Sequence, residues 1–374
     1  MKSVAICNKE FINLYPRNKS LKTATIENQD ITVGLIETPD FDYNNIKDDE
    51  VLIEKLAFSS NYRDKTLLLQ NNYNLVKRAK ENKDKYYYSF FGSEFVGNVI
   101  KIGDNVKRMV IGDRVIPIYS YPYARNPEIE PGVLSNFCSQ RYEIFHQDGL
   151  IHIPDKMPNE IAASFTIGAQ TVYGMINRIN PFKGANVLVT SAKSNTSLMA
   201  ISALKKHQVN VYALTTSIGF DQVFQKLGVK GVVHFEKDLS KLSLFKLSDS
   251  VGGFDFVIDP FFDLHIGIIT NVMNYESKYV TCGCYDQYAP FRTNEFGIQG
   301  DNLSNILNNC IKKNIHLMGN CIGYEKDIME AVQDYLDGKF SVIIDSVFSG
   351  MKVAEFLNRT YNDVNRLGKV VYKY

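Results

Sequence analysis

The apolar positions of the chain follow two different patterns. Up to about residue 155 they come in short runs with period two. DEVLIEKLAFSS (49–60) alternates in this way, and SEFVGNVIKIGDNVKRMVIGDRVIPI (93–118) breaks into short runs at Gly-Asp turns. That spacing predicts short strands in a barrel-like meander. Between them, NLVKRAKENKDKYYYSF (74–90) carries a charge run that reads as a solvated helix or loop, and YSYPYARNPEIEPG (119–132) as a long irregular loop. After Pro154 the pattern changes. EIAASFTIGAQTVYGMINRI (160–179) has helical spacing, and strands then alternate with helices. Strands are expected at Val187–Thr190, Asn210–Thr215, Val232–Phe235, FDFVIDP (254–260) and KYVTCG (278–283), with helices at Thr196–Lys206, Gln222–Leu227 and 263–273. Short, nearly all-apolar strands of this kind belong to a parallel sheet buried on both faces. EKDIMEAVQDYLDGKF (325–340) reads as the last helix and GKVVYKY (368–374) as the closing strand.

The junction after the first of these strands has the position of a phosphate-binding turn but no glycine. The loop is Ser191, Ala192, Lys193, Ser194, Asn195, Thr196 and Ser197. In a dinucleotide fingerprint the glycines serve a tight turn, a close approach of backbone to pyrophosphate, and close helix–strand packing. Ser191, Ala192 and Ser197 are small enough for the first and third tasks, and Asn195 tolerates a left-handed backbone. The helix start offers N–H groups and a positive dipole end; Ser194, Thr196 and Ser197 add hydroxyls, and Lys193 a charge. The same residues also read as an ordinary helix cap.

Composition narrows the classes. The chain has 374 residues, 45% hydrophobic and 22% charged, enough for about two domains. A net charge of +1 gives no global pull toward nucleic acid, and no apolar run reaches the length of a membrane span. A soluble, cytoplasmic protein is expected, binding neither nucleic acid nor membrane. The six cysteines form no C-x-x-C, and Cys282 and Cys284 read as small core residues on one strand face. The six histidines (146, 152, 207, 234, 265 and 316) have no metal spacing and read as surface or strand residues.

NYRD (61–64), GSEFVGNVIKIGDNV (92–106), GDRV (112–115), GAQTVYGMI (168–176), VLVTSA (187–192), FDFVIDP, KYVTCG and the terminal GKVV (368–371) follow one another in an order that resembles the medium-chain dehydrogenase/reductase superfamily over essentially the whole chain. The resemblance implies an α/β fold: a GroES-like β-barrel catalytic domain over 1–155, completed by 321–374, and a Rossmann domain with a doubly wound parallel sheet over 156–320. It also implies a homodimer, a nicotinamide cofactor, and cofactor contacts at Thr171, Asp259, Cys282 and Gly283 besides the 191–197 loop. Zinc-dependent members carry a Cys where this chain has Asn61, a His where it has Ser93, and a Cys or Asp near Ile167; the loop that holds structural zinc keeps only Cys138. A metal-free site is therefore expected, since catalytic zinc takes three protein ligands. Asn61 and Asp64 are similar to the zinc-independent quinone and enoyl reductase branches. A narrower similarity is to dehydroalanine reductases of lanthipeptide formation.

Thr215, Thr216 and Ser217 end the second Rossmann strand, where NAD-preferring folds carry an acid, so NADPH is the expected cofactor. Without zinc, the favoured chemistry is reduction of an alkene conjugated to a carbonyl in a small molecule or peptide. Charge then develops on an enolate oxygen that hydrogen-bond donors can stabilise. Asn61, Tyr62, Arg63 and Tyr73 are the candidate donors, Tyr73 as the proton donor, with Ser93 a substrate contact or a filler. Equally, Tyr62 packs in the core and Arg63–Asp64 form a structural ion pair; Glu94 is read as structural. A carbonyl reductase acting through donors alone, and a nucleotide-binding protein without hydride transfer, remain as alternatives.

Overall fold

The computed structural model describes residues 2–8, 21–38, 41–42, 45–80, 87–235, 240–285 and 303–374. These form two compact units. Described residues up to Ile167 and again from Ile344 to Tyr374 make the first; those between Gly168 and Ile343 make the second.

The first unit begins with β1 (Lys2–Cys7), β2 (Lys22–Ile26), β3 (Gln29–Glu37) and β4 (Glu50–Ser59), followed by helix α1 (Tyr62–Lys80). Short strands follow: β5 (Tyr88–Ser89), β6 (Glu94–Ile102), β7 (Arg114–Pro117), β8 (Tyr142–His146) and β9 (Leu150–His152), then helix α2 (Asn159–Ala162) and the start of helix α3 (Thr166–Ile179), which from Gly168 belongs to the second unit. Period-two burial lets two sheets share one core. Val4, Ile31 and Val33 of the sheet ordered β2-β3-β1-β5 pack with Ile53, Phe58, Phe95 and Val99 of the larger sheet around β4 and β6.

The second unit holds β10 (Asn186–Val189), α4 (Asn195–Leu204), β11 (Asn210–Thr215), α5 (Asp221–Lys226), β12 (Gly231–His234), α6 (Ser240–Val251), β13 (Phe254–Asp259), α7 (Phe262–Val272), β14 (Met273–Thr281), α8 (Leu303–Lys313), β15 (His316–Gly319) and α9 (Glu325–Leu336). Its strands are all parallel in the order β12-β11-β10-β13-β14-β15, the order of a doubly wound sheet. The chain then returns to the first unit as β16 (Ile344–Ser349), α10 (Val353–Tyr361) and β17 (Lys369–Lys373). β17 pairs with β4 and so extends the larger sheet.

Four expectations about the fold need correction. The expected domain limits at 155/156 and 320/321 fall instead at 167/168 and 343/344. Arg114 holds 157–159 to the first unit through the Met157 carbonyl and Asn159 Oδ1, both at 2.7 Å. Helix α9 stays in the second unit because Tyr173 Oη donates to Asp334 (2.8 Å) and Asn177 to Asp327 (2.7 Å). Nor is α9 the last helix, since α10 follows it. Of the charged stretch from 74, residues 74–80 are the end of a longer helix that begins at Tyr62, and 81–86 lie outside the described residues. The sequence NYRD is its start signal: the Asp64 carboxylate accepts from the Asn61 N–H at 2.8 Å, as in half of a capping box. Finally, Cys282 and Cys284 lie beyond the end of β14, half-buried, with the Cys284 thiol donating to Asp263 at 2.9 Å.

Candidate active site

In the first unit, the turn from β4 into α1 meets the start of β6 and the start of β17 in a buried polar cluster. Lys369, 1% exposed, donates to Asn61 Oδ1 (2.6 Å) and to Glu94 Oε1. With Oδ1 facing an ammonium, the Asn61 amide has one orientation. Its Nδ2 donates to Glu94 Oε1 (2.9 Å) and Ser93 Oγ (3.3 Å). Ser93 Oγ passes its own hydrogen to Asp64 Oδ2 at 2.7 Å. The other Glu94 oxygen accepts from the Ile167 N–H at 3.1 Å. Asp64 also binds the Arg63 guanidinium, whose Nη1 lies 2.9 Å from Asp64 Oδ1 and 3.0 Å from Asn136 Oδ1. Burial pushes the Asp64 carboxyl above its ordinary value, against Arg63, the Asn61 N–H and Ser93, which lower it.

This geometry redistributes the expected roles. Both amide hydrogens of Asn61 and the hydroxyl hydrogen of Ser93 go to internal acceptors, so neither residue is a standing donor for a substrate oxygen. Tyr62 is half-buried, with the Lys65 ammonium 4.8 Å above its ring. Tyr73 is 53% exposed and sits about 16 Å from Tyr62 along the axis of α1, because eleven residues of helix rise that far. The structure does not bring it to the cluster. Arg63 remains the donor with an open edge, with 32% of its side chain exposed. Lys369 and Asn136 were not singled out from sequence. The signal for Lys369 was a lysine inside an apolar closing strand.

In the second unit, β10 leads into the glycine-free loop. The left-handed residue there is Ser191 (φ +43°), whereas Asn195 is the first residue of α4. The turn is closed by Ser194 N–H to the Ser191 carbonyl (2.7 Å), and Ala192 N–H is spent on Leu214 (2.9 Å). Ser194 caps α4, its Oγ accepting from the Ser197 N–H at 3.2 Å. Ser197 is buried against the strand and donates to the Thr190 carbonyl at 2.7 Å, so its hydroxyl hydrogen is not offered to a phosphate. Thr196 is half-buried in the first turn of α4. Lys193 reaches across the sheet edge to lie 4.1 Å over the ring of Phe220, just past β11. Thr216 is exposed there and Ser217 half-buried, while the Thr215 hydroxyl is buried and accepts from the Ser217 N–H at 3.1 Å.

Asp259, expected to meet the cofactor, is instead enclosed. It accepts from Thr190 Oγ1 (2.6 Å), Tyr279 Oη (2.6 Å) and the Phe261 N–H (2.8 Å), and pairs with His265 Nδ1 (3.1 Å). Burial alone would raise its pKa, but His265 and these bonds outweigh burial and hold it below the ordinary value. His265 is therefore neither a surface nor a strand residue but a buried helix residue on α7. Thr171 is buried on α3, its carbonyl near Asn320 (3.4 Å), and the Gly283 carbonyl accepts from Thr281 Oγ1 at 3.2 Å. Cys282 lies between them in sequence, half-buried.

Residues 47–155 match the alcohol dehydrogenase GroES-like domain. With the parallel sheet of the second unit, the chain has the fold of the medium-chain dehydrogenases/reductases. A zinc-type alcohol dehydrogenase-like protein of Schizosaccharomyces pombe is 24% identical, with 87% of each chain covered. An acryloyl-coenzyme A reductase of Sulfurisphaera tokodaii is 24% identical over 87% of this chain and 92% of its own. The structure of a crotonyl-CoA carboxylase/reductase variant in complex with NADP has the same fold, with a TM-score of 0.75 at 13% identity over 100% of this chain and 95% of that one. Among the described residues, no three His, Cys, Asp or Glu side chains converge as a metal site.

Proposed function

We propose that the chain is an NADPH-dependent reductase of an alkene conjugated to a carbonyl, working without zinc. The observation that carries this reading is the Asn61–Ser93–Glu94–Lys369 cluster. An amide and a hydroxyl, both tied into internal hydrogen bonds, stand where zinc-dependent relatives place ligands, and neither is a zinc-type donor. The relatives named as acryloyl-coenzyme A reductase support the substrate class.

The second unit fits a dinucleotide. The left-handed Ser191, the capped start of α4 and Lys193 suit its phosphates. Exposed Thr216, flanked in sequence by Thr215 and Ser217 rather than an acid, leaves room for a 2′-phosphate. NADPH held there would supply a hydride to the β-carbon of the alkene. The open edge of the Arg63 guanidinium is then the donor for the negative charge that develops on the conjugated oxygen. Asp64 and Asn136 fix that guanidinium by one nitrogen, so the remaining N–H groups are oriented before substrate arrives. Within the class, dehydroalanine in a peptide is the finer substrate we propose, with reduction to alanine creating a new stereocentre. The same reading makes the protein a cytoplasmic homodimer.

Labelled cofactor tests the reaction. Deuterium from [4-2H]NADPH should appear at the β-carbon, and solvent deuterium at the α-carbon, of an acryloyl thioester or a dehydroalanine peptide. Efficient reduction of a simple ketone, with these alkenes inert, would replace the reading by a carbonyl reductase.

A further inference from the structure

Arg63 and Asp64 are neighbours at the start of α1 but meet different surroundings. Arg63 spends one nitrogen, Nη1, on Asp64 Oδ1 and Asn136 Oδ1. Among the described residues its Nη2 and Nε have no hydrogen-bond partner, and the side chain is 32% exposed. A guanidinium anchored at one nitrogen presents its free edge as a two-donor fork, the geometry that matches a carboxylate or enolate oxygen. Asp64 is 1% exposed, its oxygens taking hydrogen bonds from Ser93 (2.7 Å), the Asn61 N–H (2.8 Å) and Ser60 (3.4 Å) as well as Arg63.

The four charges of this cluster cancel: Lys369 and Arg63 against Glu94 and Asp64. An anion arriving on the Arg63 fork upsets that balance beside the buried Asp64 and Glu94, where an uncompensated charge is costly. Either the anion is rejected or a proton follows it. We infer that the free edge of Arg63 is an oxyanion-binding site and that occupation of it is coupled to uptake of a proton by Asp64. The identification of the oxyanion as the substrate's conjugated oxygen rests on the proposed reduction; the site itself does not.

The groups facing Asp64 support the assignment. They are Arg63 on its own helix, Glu94 on β6, Tyr361 on α10, and Tyr119 and Cys138 on the loops of the first unit. Arg63 is the cation among them, so an anion that neutralises it removes the main charge keeping Asp64 ionised. Burial and Glu94 already favour the protonated form. Protonation at Oδ2 also reverses a hydrogen bond. The new O–H donates to Ser93 Oγ, and the Ser93 hydroxyl hydrogen, now pointing at Asp64, is released for another acceptor. The proton comes from solvent, and no bond other than this O–H forms.

Isothermal titration calorimetry of the full chain with propanoate, near pH 7 in buffers of different ionisation enthalpy, tests the coupling. The expected result is uptake of about one proton per bound anion. Arg63→Gln should weaken propanoate binding by at least about tenfold, or about 1.4 kcal/mol. Asp64→Asn should abolish the buffer dependence and the pH dependence of whatever propanoate binding it retains. In the unaltered protein, where folding is not in question, propanoate affinity should rise as pH falls from about 8 to about 5. Absence of binding, heat independent of buffer, or a flat pH profile would overturn the inference. None of these outcomes bears on where deuterium from labelled NADPH arrives, so the two readings fail separately.

Discussion

Lys369 Nζ donates to Asn61 Oδ1 across 2.6 Å, and so joins the closing strand of the chain to the turn that starts α1. The same ammonium meets Glu94, which is fully buried. Removing the cation alone strands that carboxylate. Lys369→Met is expected to cost about 3–5 kcal/mol of stability, measured as a fall in the urea midpoint. Lys369→Met with Glu94→Gln should recover part of the loss, because the orphaned charge is gone. Near-equal single and double variants would mean that Glu94 is not charged in the fold.

Cofactor choice should turn on Lys193 and Thr216. Lys193 lies over Phe220 just beyond β11, and exposed Thr216 is the residue after that strand's end. Thr216→Asp places an anion where a 2′-phosphate would sit. Fluorescence titration should find NADPH binding weakened by about tenfold, or about 1.4 kcal/mol, with NADH little changed. Lys193→Ala should weaken NADPH more than NADH. Equal affinities of the unaltered protein for both cofactors would remove the basis for the NADPH assignment.

The buried Asp259 makes an acid-side prediction. Its folded pKa lies below the ordinary carboxylate value of about 3.9. The ionised form therefore stabilises the fold above that value, and the contribution is lost as pH falls through the lower folded value. Thermal melts between about pH 5 and about pH 2 should show the unaltered protein losing stability more steeply than Asp259→Asn. The variant should be the less stable of the two near neutrality, because a carboxylate accepting from Thr190, Tyr279 and Phe261 is replaced by an amide that must also donate. Parallel acid limbs would place the titrating group elsewhere.

These sites differ in how far they could be read from sequence. The parallel sheet was legible because strands buried on both faces are nearly all apolar, and β10, β11 and β13 are such runs. The loop after β10 was legible as a phosphate turn, but not its internal assignment. Asn195 tolerates a left-handed backbone, but the turn places its left-handed residue two positions past the strand, at Ser191, and closure by Ser194 holds it there. The catalytic side was harder. Hydroxyls and amides near one another in sequence suggest donors; only geometry decides where their hydrogens go. Asn61 and Ser93 spend theirs on Glu94 and Asp64. The partner that imposes this, Lys369, is 308 positions away in the chain. Domain limits slipped for a related reason: α9 looks like any amphipathic helix until Tyr173 and Asn177 show which unit it packs on.

The last prediction separates two candidate donors on one helix. Tyr73 has its side chain 53% exposed on α1, about 16 Å beyond Tyr62 along the axis. Tyr73→Phe removes only the hydroxyl and should leave kcat and KM for an acryloyl thioester unchanged, with solvent deuterium still delivered to the α-carbon. Arg63 stands at the other end of that helix, pinned through Nη1 to Asp64 and Asn136 with its free edge open. Arg63→Gln keeps a polar side chain but withdraws the charge from the developing enolate oxygen. It should lower kcat/KM by about 100-fold or more, on the scale of losing one preorganised oxyanion donor, with most of the loss in kcat. Arg63→Lys restores charge without the fork and should recover only part of the rate. If Tyr73→Phe were the slow variant and Arg63→Gln the normal one, the oxyanion would have to form three helical turns from the Lys369 cluster, and the Arg63 assignment would fall.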